Sequence, residues 1–173
     1  MTFADEDLLL GFKPHNRPLS VLGYTQGERV SCILIDDGFV VNIMPKGTLR
    51  RLGIFVKKLS KSRLVIQGFN QEGQRAIDMI QLDVTIDELK ARLLFHVIDS
   101  KTSYNLLFGR PWIHGNGVVP STLHQCFKYY DGKQIKVVTA DLQPFTAAES
   151  HFADAKFYLD YDTTSDVSQE EKM

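Results

Sequence analysis

A mainly β domain is what this sequence predicts, from three features: short apolar runs of strand length, turn-residue clusters between them, and one short stretch with helical punctuation. Residues 19–24 and 29–35 are expected strands, and Thr25-Gln26-Gly27-Glu28 between them has hairpin-turn composition. Residues 45–52 form the one convincing helix: Pro45 suits a first helical position, Leu49 and Leu52 share a face, and Gly53 suits the stop. Residues 64–69 and 76–86 are the arms of a hairpin joined by Asn70-Gln71-Glu72-Gly73-Gln74. Alternation of Ile80, Leu82, Val84 and Ile86 marks a half-buried strand in the second arm. Residues 93–98 are a buried strand, 104–108 a further short apolar piece, and 125–130 with 134–138 a hairpin around Asp131-Gly132-Lys133. Strand patterning fades from Asp141, and residues 160–173 are acidic, polar and expected to be disordered.

With 173 residues and 43% hydrophobic content, the chain has material for one domain with a real core. A net charge of -1 and a pI near 6.5 argue neither for nor against nucleic acid. Two cysteines are too few for a disulfide framework, and Cys32, inside an apolar strand, reads as a small core residue. No apolar run is long enough to span a bilayer, and acidic Asp5, Glu6 and Asp7 do not suit a signal peptide. The expectation is a soluble, intracellular and cytoplasmic domain, with no cofactor, metal or membrane partner.

The chemistry sits in Ile33-Leu34-Ile35-Asp36-Asp37-Gly38, with Leu106-Leu107-Phe108-Gly109 further on. An apolar strand running into Asp-x-Gly, with a second apolar run ending in Gly, is how single-domain aspartic proteases build half an active site. The carboxylate must leave its strand at a tight turn, and Gly38 lets the backbone turn there without a Cβ clash. The second run crosses close to that turn and screens it from water. Asp-Asp-Gly by itself reads as an ordinary hairpin or loop turn.

A longer series of motifs extends this. They are His15-Asn16-Arg17-Pro18-Leu19, Leu34-Ile35-Asp36-x-Gly38, Val41-Asn42-Ile43-Met44-Pro45, and Thr48-Leu49-x-x-Leu52-Gly53-Ile54. Then follow Gly68-Phe69, the block Ser103-Tyr104-Asn105-Leu106-Leu107-Phe108-Gly109-Arg110-Pro111-Trp112-Ile113-His114, and Val119-Pro120-Ser121-Thr122-Leu123-His124-Gln125. Over roughly residues 3–140 the chain resembles the retropepsin-like aspartic protease region of plant gypsy-class LTR retrotransposon (gag-pol) polyproteins. The resemblance implies a closed, barrel-like β domain at 15–140 with one or two short helices, an N-terminal extension at 1–14, and a C-terminal extension at 141–173.

It also implies a homodimer that hydrolyses polypeptide. Only one Asp-x-Gly of this kind is present, so a protease needs Asp36 from each of two protomers across a two-fold axis. One carboxyl activates a water and the other protonates or hydrogen-bonds the peptide carbonyl. The hairpin over 64–86 becomes a flap closing on extended substrate, with Gly38, Ile77, Asp78 and Met79 as substrate-binding residues.

Three positions depart from the family. Asp37 stands where Ser, Thr or Gly follows the catalytic Asp, and an ionised carboxylate cannot donate the bond that a hydroxyl makes across the axis. Phe39 replaces a small Ser or Ala, and Asp78 replaces the flap glycine in Ile77-Asp78-Met79-Ile80. Two function classes stay open: an aspartic endopeptidase, and an inactive retropepsin-fold domain that binds peptides or partners.

Other candidates are weaker. Asp83 and Asp99 lack an Asp-x-Gly turn and read as surface or strand-end acids. His124-x-Cys126 with His114 fits no zinc spacing. Trp112 and His114 read as a helix cap and core plug. Residues 46–63 contain no acid but carry Lys46, Arg50, Arg51, Lys57, Lys58, Lys61 and Arg63. That stripe is a possible RNA contact, yet it reads more simply as a solvated face.

Overall fold

The computed structural model describes residues 1–12, 14–55, 60–61, 65–67, 73–76 and 78–142. Strand β1 (Leu19–Thr25) turns into β2 (Glu28–Ile35), followed by β3 (Asn42–Pro45) and helix α1 (Lys46–Arg51). Short strands β4 (Ser60–Lys61), β5 (Val65–Gln67) and β6 (Gly73–Arg75) lead to the long pair β7 (Asp78–Ile86) and β8 (Leu89–Ile98). Strand β9 (Leu106–Phe108) and helix α2 (Arg110–Gly115) precede β10 (Val119–Ser121), β11 (Cys126–Tyr130) and β12 (Ile135–Thr139).

Six strands pair in the order β1-β2-β9-β3-β8-β7, and β7 returns to β1, so the sheet closes into a barrel with β4 on its rim. The closure is mixed: β9 runs parallel to β2, and β3 runs parallel to β8. Alternation along each strand sorts the side chains into two sets. Ile33, Ile35, Leu106, Phe108, Met44, Phe95, Val97 and the Ile80-Leu82-Val84-Ile86 series point inward and form the main core. Their neighbours Leu34, Leu107, Ile43 and Ile98 belong to a second apolar cluster and therefore lie on the outside of the wall. A ladder of rings runs through the main core, from Phe95 through Phe108, Trp112 and Phe127 to Tyr129.

The β1–β2 turn has both Gln26 (φ 53°) and Gly27 (φ 73°) in the left-handed region, the conformation that suits a two-residue hairpin. Several expected boundaries shift. Pro45 ends β3 and caps α1 rather than occupying its first turn; Gly53 (φ 65°) does form the stop, and Arg50 and Arg51 sit in the last turn. The expected second arm at 76–86 is strand from Asp78 as β7, while β6 falls before it, so that Gly73 and Gln74 are strand residues rather than part of the turn. Strand β8 begins at Leu89 rather than 93, because Asp87 (φ 53°) closes a tight turn after β7. The piece at 104–108 is strand only from Leu106. Strand β10 contains Pro120, a residue that argues against a strand in sequence but is tolerated at a sheet edge.

The second sheet has the order β10-β11-β12 and packs Phe127 and Tyr129 against the barrel. Its other face is crossed by the N-terminal segment. The Lys128 ammonium donates to the Thr2 carbonyl (2.7 Å) and the Asp7 carboxylate (2.8 Å), beneath the Phe3 ring. Cys32 and Cys126 are both buried and reduced. The expected disorder at 160–173 lies outside the described residues. Among the described residues, no helix is long and apolar enough to cross a membrane.

Candidate active site

Strand β2 ends at Ile35, and its ladder with β9 runs on one residue further: the Asp36 N–H donates to the Phe108 carbonyl at 3.0 Å. The chain then turns on the Asp36 side chain itself, whose Oδ1 accepts the Gly38 N–H at 2.9 Å, while the Phe39 N–H bonds back to the Asp36 carbonyl. A Cβ on Gly38 would lie 3.0 Å from that same Oδ1, a tight contact to which the carboxylate would have to yield. Asp36 is half-buried and Asp37 is exposed.

The turn is clamped from behind by the β9–α2 junction. The Gly109 N–H donates to the Asn42 side-chain oxygen at 3.0 Å, and the Arg110 N–H donates to the Phe39 carbonyl at 2.8 Å. The chains approach so closely that a Cβ on Gly109 would overlap the Val41 carbonyl and lie 2.7 Å from that of Phe39. The Asn42 amide also donates to the Leu94 carbonyl, so one buried side chain ties β3, β8 and the junction together. Sequence reasoning did not single out Asn42; the signal was a polar residue in the otherwise apolar Val41-Asn42-Ile43-Met44.

Cross-strand register lays out the surface beside Asp36. Leu34 pairs with Leu107, Leu107 with Ile43, Ile43 with His96, His96 with Met79 and Met79 with Ser60. Asp36 lies two residues beyond Leu34, so alternation puts its carboxylate at the head of this outward-facing row. Tyr104, Phe39 and Val41 pack on the same apolar cluster. Burial, and then the Asp36 charge, push the Tyr104 phenol above its usual value, and burial pushes the His96 imidazole down. A cavity of about 260 Å³ opens beside Asp36 and Asp37 against Pro18, Leu34, Pro120 and Thr122. A larger depression, about 490 Å³, lies on the β7–β8 face and includes no residue of the Asp36 turn.

The expected arms at 64–69 and 76–86 do not pair with each other among the described residues; each meets a segment outside the other. Ser60 and Lys61 meet Met79 and Asp78, and Val65, Ile66 and Gln67 meet Arg75, Gln74 and Gly73, with a one-residue shift between the two stretches. Asp78 and Met79 therefore stand at the foot of this hairpin, where β7 also pairs with β8, rather than toward its Gln67–Gly73 end. Ile77 lies outside the described residues. Asp99 faces Lys46 at 3.7 Å, and Asp83 is an exposed residue opposite Arg92. His124 bonds the Ser121 hydroxyl (2.7 Å) and stacks on Phe3, while Cys126 is buried under the N-terminal segment with its thiol pushed up by burial. Trp112 is the core plug; His114 is exposed. Of the basic stripe, Arg50, Arg51 and Lys61 are exposed, while Lys57, Lys58 and Arg63 lie outside the described residues.

No protein-family model and no curated protein matches the chain. Solved structures do. The retroviral protease-like domain of Ddi1 from Leishmania major superposes with a TM-score of 0.54 at 19% identity, covering 70% of this chain and 94% of that one. The EIAV protease complexed with the inhibitor HBY-793 gives 0.51 at 11% identity, covering 61% and 93%. With its barrel closed and Asp36 turned out at the end of β2, the chain has the fold of the retropepsin-like aspartic proteases.

Proposed function

We propose that this chain is a retropepsin-type aspartic endopeptidase domain that works as a homodimer, with Asp36 of each protomer as the catalytic residue. The observation that carries this reading is the Asp36 carboxylate, held by the Gly38 N–H at the head of an outward apolar row, within a retropepsin-like fold. One carboxylate is half of the required pair, and a two-fold axis supplies the other. Two carboxyls that close share one proton and titrate as a unit. The unprotonated Asp36 takes a proton from water as its oxygen attacks the peptide carbonyl, and the protonated one gives its proton to the carbonyl oxygen. Collapse of the tetrahedral diol then moves a proton to the leaving nitrogen.

Substrate lies extended against the Asp36 turn, with apolar side chains directed at the outward row. Gly38 shapes the turn, Asp78 and Met79 contribute from the hairpin foot, and Ile77, next to them in sequence, is a further substrate-binding residue. The motif resemblance assigns the domain to a plant gypsy-class gag-pol polyprotein, acting on polypeptide in the cytoplasm, without cofactor or membrane.

The second reading is a fold that binds peptide without cutting it. Asp37 favours it, because this exposed carboxylate has no ion pair or hydrogen-bond partner among the described residues and adds charge beside Asp36.

The deciding experiment incubates wild type and Asp36→Asn with a peptide library from mildly acidic to neutral pH, reading new termini by mass spectrometry. Cleavage by wild type alone, rising faster than linearly with concentration, is expected of a dimeric aspartic protease. No cleavage by a folded wild type leaves a retropepsin-like fold that has lost its chemistry, and cleavage by both proteins removes Asp36 from the mechanism.

A further inference from the structure

We propose that Tyr104 is the cover of the apolar row beside Asp36 and decides which substrate side chains reach it. The inference rests on the peptide-cleft reading above and adds a specificity-determining residue to it.

Ile43, Leu107 and Ile98 lie on the outside of the barrel wall, yet they are only 1%, 1% and 4% exposed. Their own chain must therefore be covering them. Among the described residues, the groups packed on that cluster are Leu34, Phe39, Val41 and Tyr104, with Ala76 buried among them. Leu34 is itself a member of the row, and the Phe39 carbonyl is clamped by the Arg110 N–H. Tyr104 differs from both. It carries the largest polar-tipped side chain of the set, it is half-buried, and its hydroxyl has no hydrogen-bond partner among the described residues.

The next residue is a fixed pivot. Asn105 donates its N–H to the Cys32 carbonyl (2.9 Å) and its amide to the Ser31 carbonyl (2.8 Å), and its own carbonyl accepts the Thr48 hydroxyl (2.7 Å). Among the described residues, Tyr104 is tied only through its backbone carbonyl, which accepts the Thr102 hydroxyl at 2.6 Å. The ring is thus held by packing, and swinging it aside breaks no hydrogen bond of its own. A phenol keeps its proton at neutral pH, so the displaced hydroxyl remains a donor at the edge of the site.

An extended peptide crossing Asp36 directs one side chain at this row. Compact aliphatic side chains fit beside the ring. A large aromatic side chain enters only by displacing it, so the wild-type domain selects against Phe, Tyr and Trp at that position.

The test compares the full chain as wild type, Tyr104→Phe, Tyr104→Ala and Asp36→Asn. The first measurement is fluorescence of bound anilinonaphthalene sulfonate, with far-UV circular dichroism confirming native structure. Tyr104→Ala is expected to bind several times more dye than the other three, because it alone uncovers Ile43 and Leu107. Equal dye binding by Tyr104→Ala and wild type, or the same gain in Tyr104→Phe, overturns the proposal. Should Tyr104→Ala lose native dichroism, Tyr104→Leu is read against the same two criteria. The second measurement is the cleavage profile, in which Tyr104→Ala is expected to gain about tenfold in kcat/KM for aromatic over aliphatic side chains at one position. An unchanged profile overturns the specificity role. The peptidase reading is judged separately, by cleavage in wild type and Asp36→Asn, and a wild type that does not cleave leaves the dye comparison to decide the cover.

Discussion

Single residues carry most of the tension around Asp36. Gly109 is the clearest case, since any Cβ there meets two backbone carbonyls that have nowhere to go. Gly109→Ala is expected to cost about 3 kcal/mol, the upper range for overpacking, read as a drop in urea midpoint at unchanged m-value. Gly38 is milder, because its nearest neighbour is a rotatable carboxylate oxygen rather than backbone. Tyr129 presents the reverse situation. Its hydroxyl is buried without a hydrogen-bond partner among the described residues, near charges at Asp87, Glu88, Lys136 and Asp131. Tyr129→Phe removes an unsatisfied polar group while keeping the ring in the aromatic ladder. Stability is therefore expected to stay level or rise by up to about 1 kcal/mol, and a loss larger than that in the same urea series would show that the hydroxyl is satisfied in solution.

Among the elements, the β1–β2 hairpin spends a poor residue on its turn. Gln26 holds a left-handed φ that asparagine adopts more readily, and Asn-Gly is the favoured pair for this turn. Gln26→Asn is expected to raise stability by about 0.5 kcal/mol, visible as a small increase in melting temperature. The N-terminal segment is tied to the β11 face by an ion pair whose pH response has a definite sign. The Lys128 hydrogen bond, and then the Ala4 N–H, hold the Asp7 carboxyl below the ordinary carboxylate value. A lowered folded-state pKa contributes stability that is complete above the unfolded value near pH 4 and is lost as pH falls through the folded one. Cys126, buried under this segment, reports on it. Its reactivity toward a dipyridyl disulfide, which titrates thiols in acid, is expected to climb below about pH 4 in wild type. In Asp7→Asn it is expected to be high already at neutral pH; a flat, low profile in both would mean that the segment stays down without the pair.

For the whole molecule, the decisive question is association. If two Asp36 residues meet across a two-fold axis, the adjacent Asp37 residues approach each other as well, since neighbouring Cα atoms are about 3.8 Å apart. Among the described residues, no basic side chain lines the cavity that the two acids share within one chain. Asp37→Thr removes the repulsion and restores a hydroxyl donor. It is expected to strengthen self-association by about tenfold or more in sedimentation equilibrium at neutral pH, a shift of about 1.4 kcal/mol. Unchanged association would place Asp37 away from the axis.

Much of this architecture was legible before any coordinates, because local rules govern it. Short apolar runs located β1, β2 and β11, alternation located β7, turn residues located the β1–β2 and β11–β12 connections, and Asp36-Asp37-Gly38 stood out as a turn at the end of an apolar strand. Alternation also separates the two faces of a strand, but it does not say which face looks into the barrel. That was decided by pairings between distant segments, β2 with β9 and β3 with both β8 and β9, which a single sequence does not display. The same long-range contacts decided that Gly109 needs its missing Cβ, that Asn42 is a clamp, that Asp78 stands at a hairpin foot, and that Tyr104 lies over the row beside Asp36. The chain's own sequence determined which segments extend and where they turn, because those depend on neighbouring residues. Only the closed barrel decided what each side chain faces, because that depends on residues brought together from far along the chain.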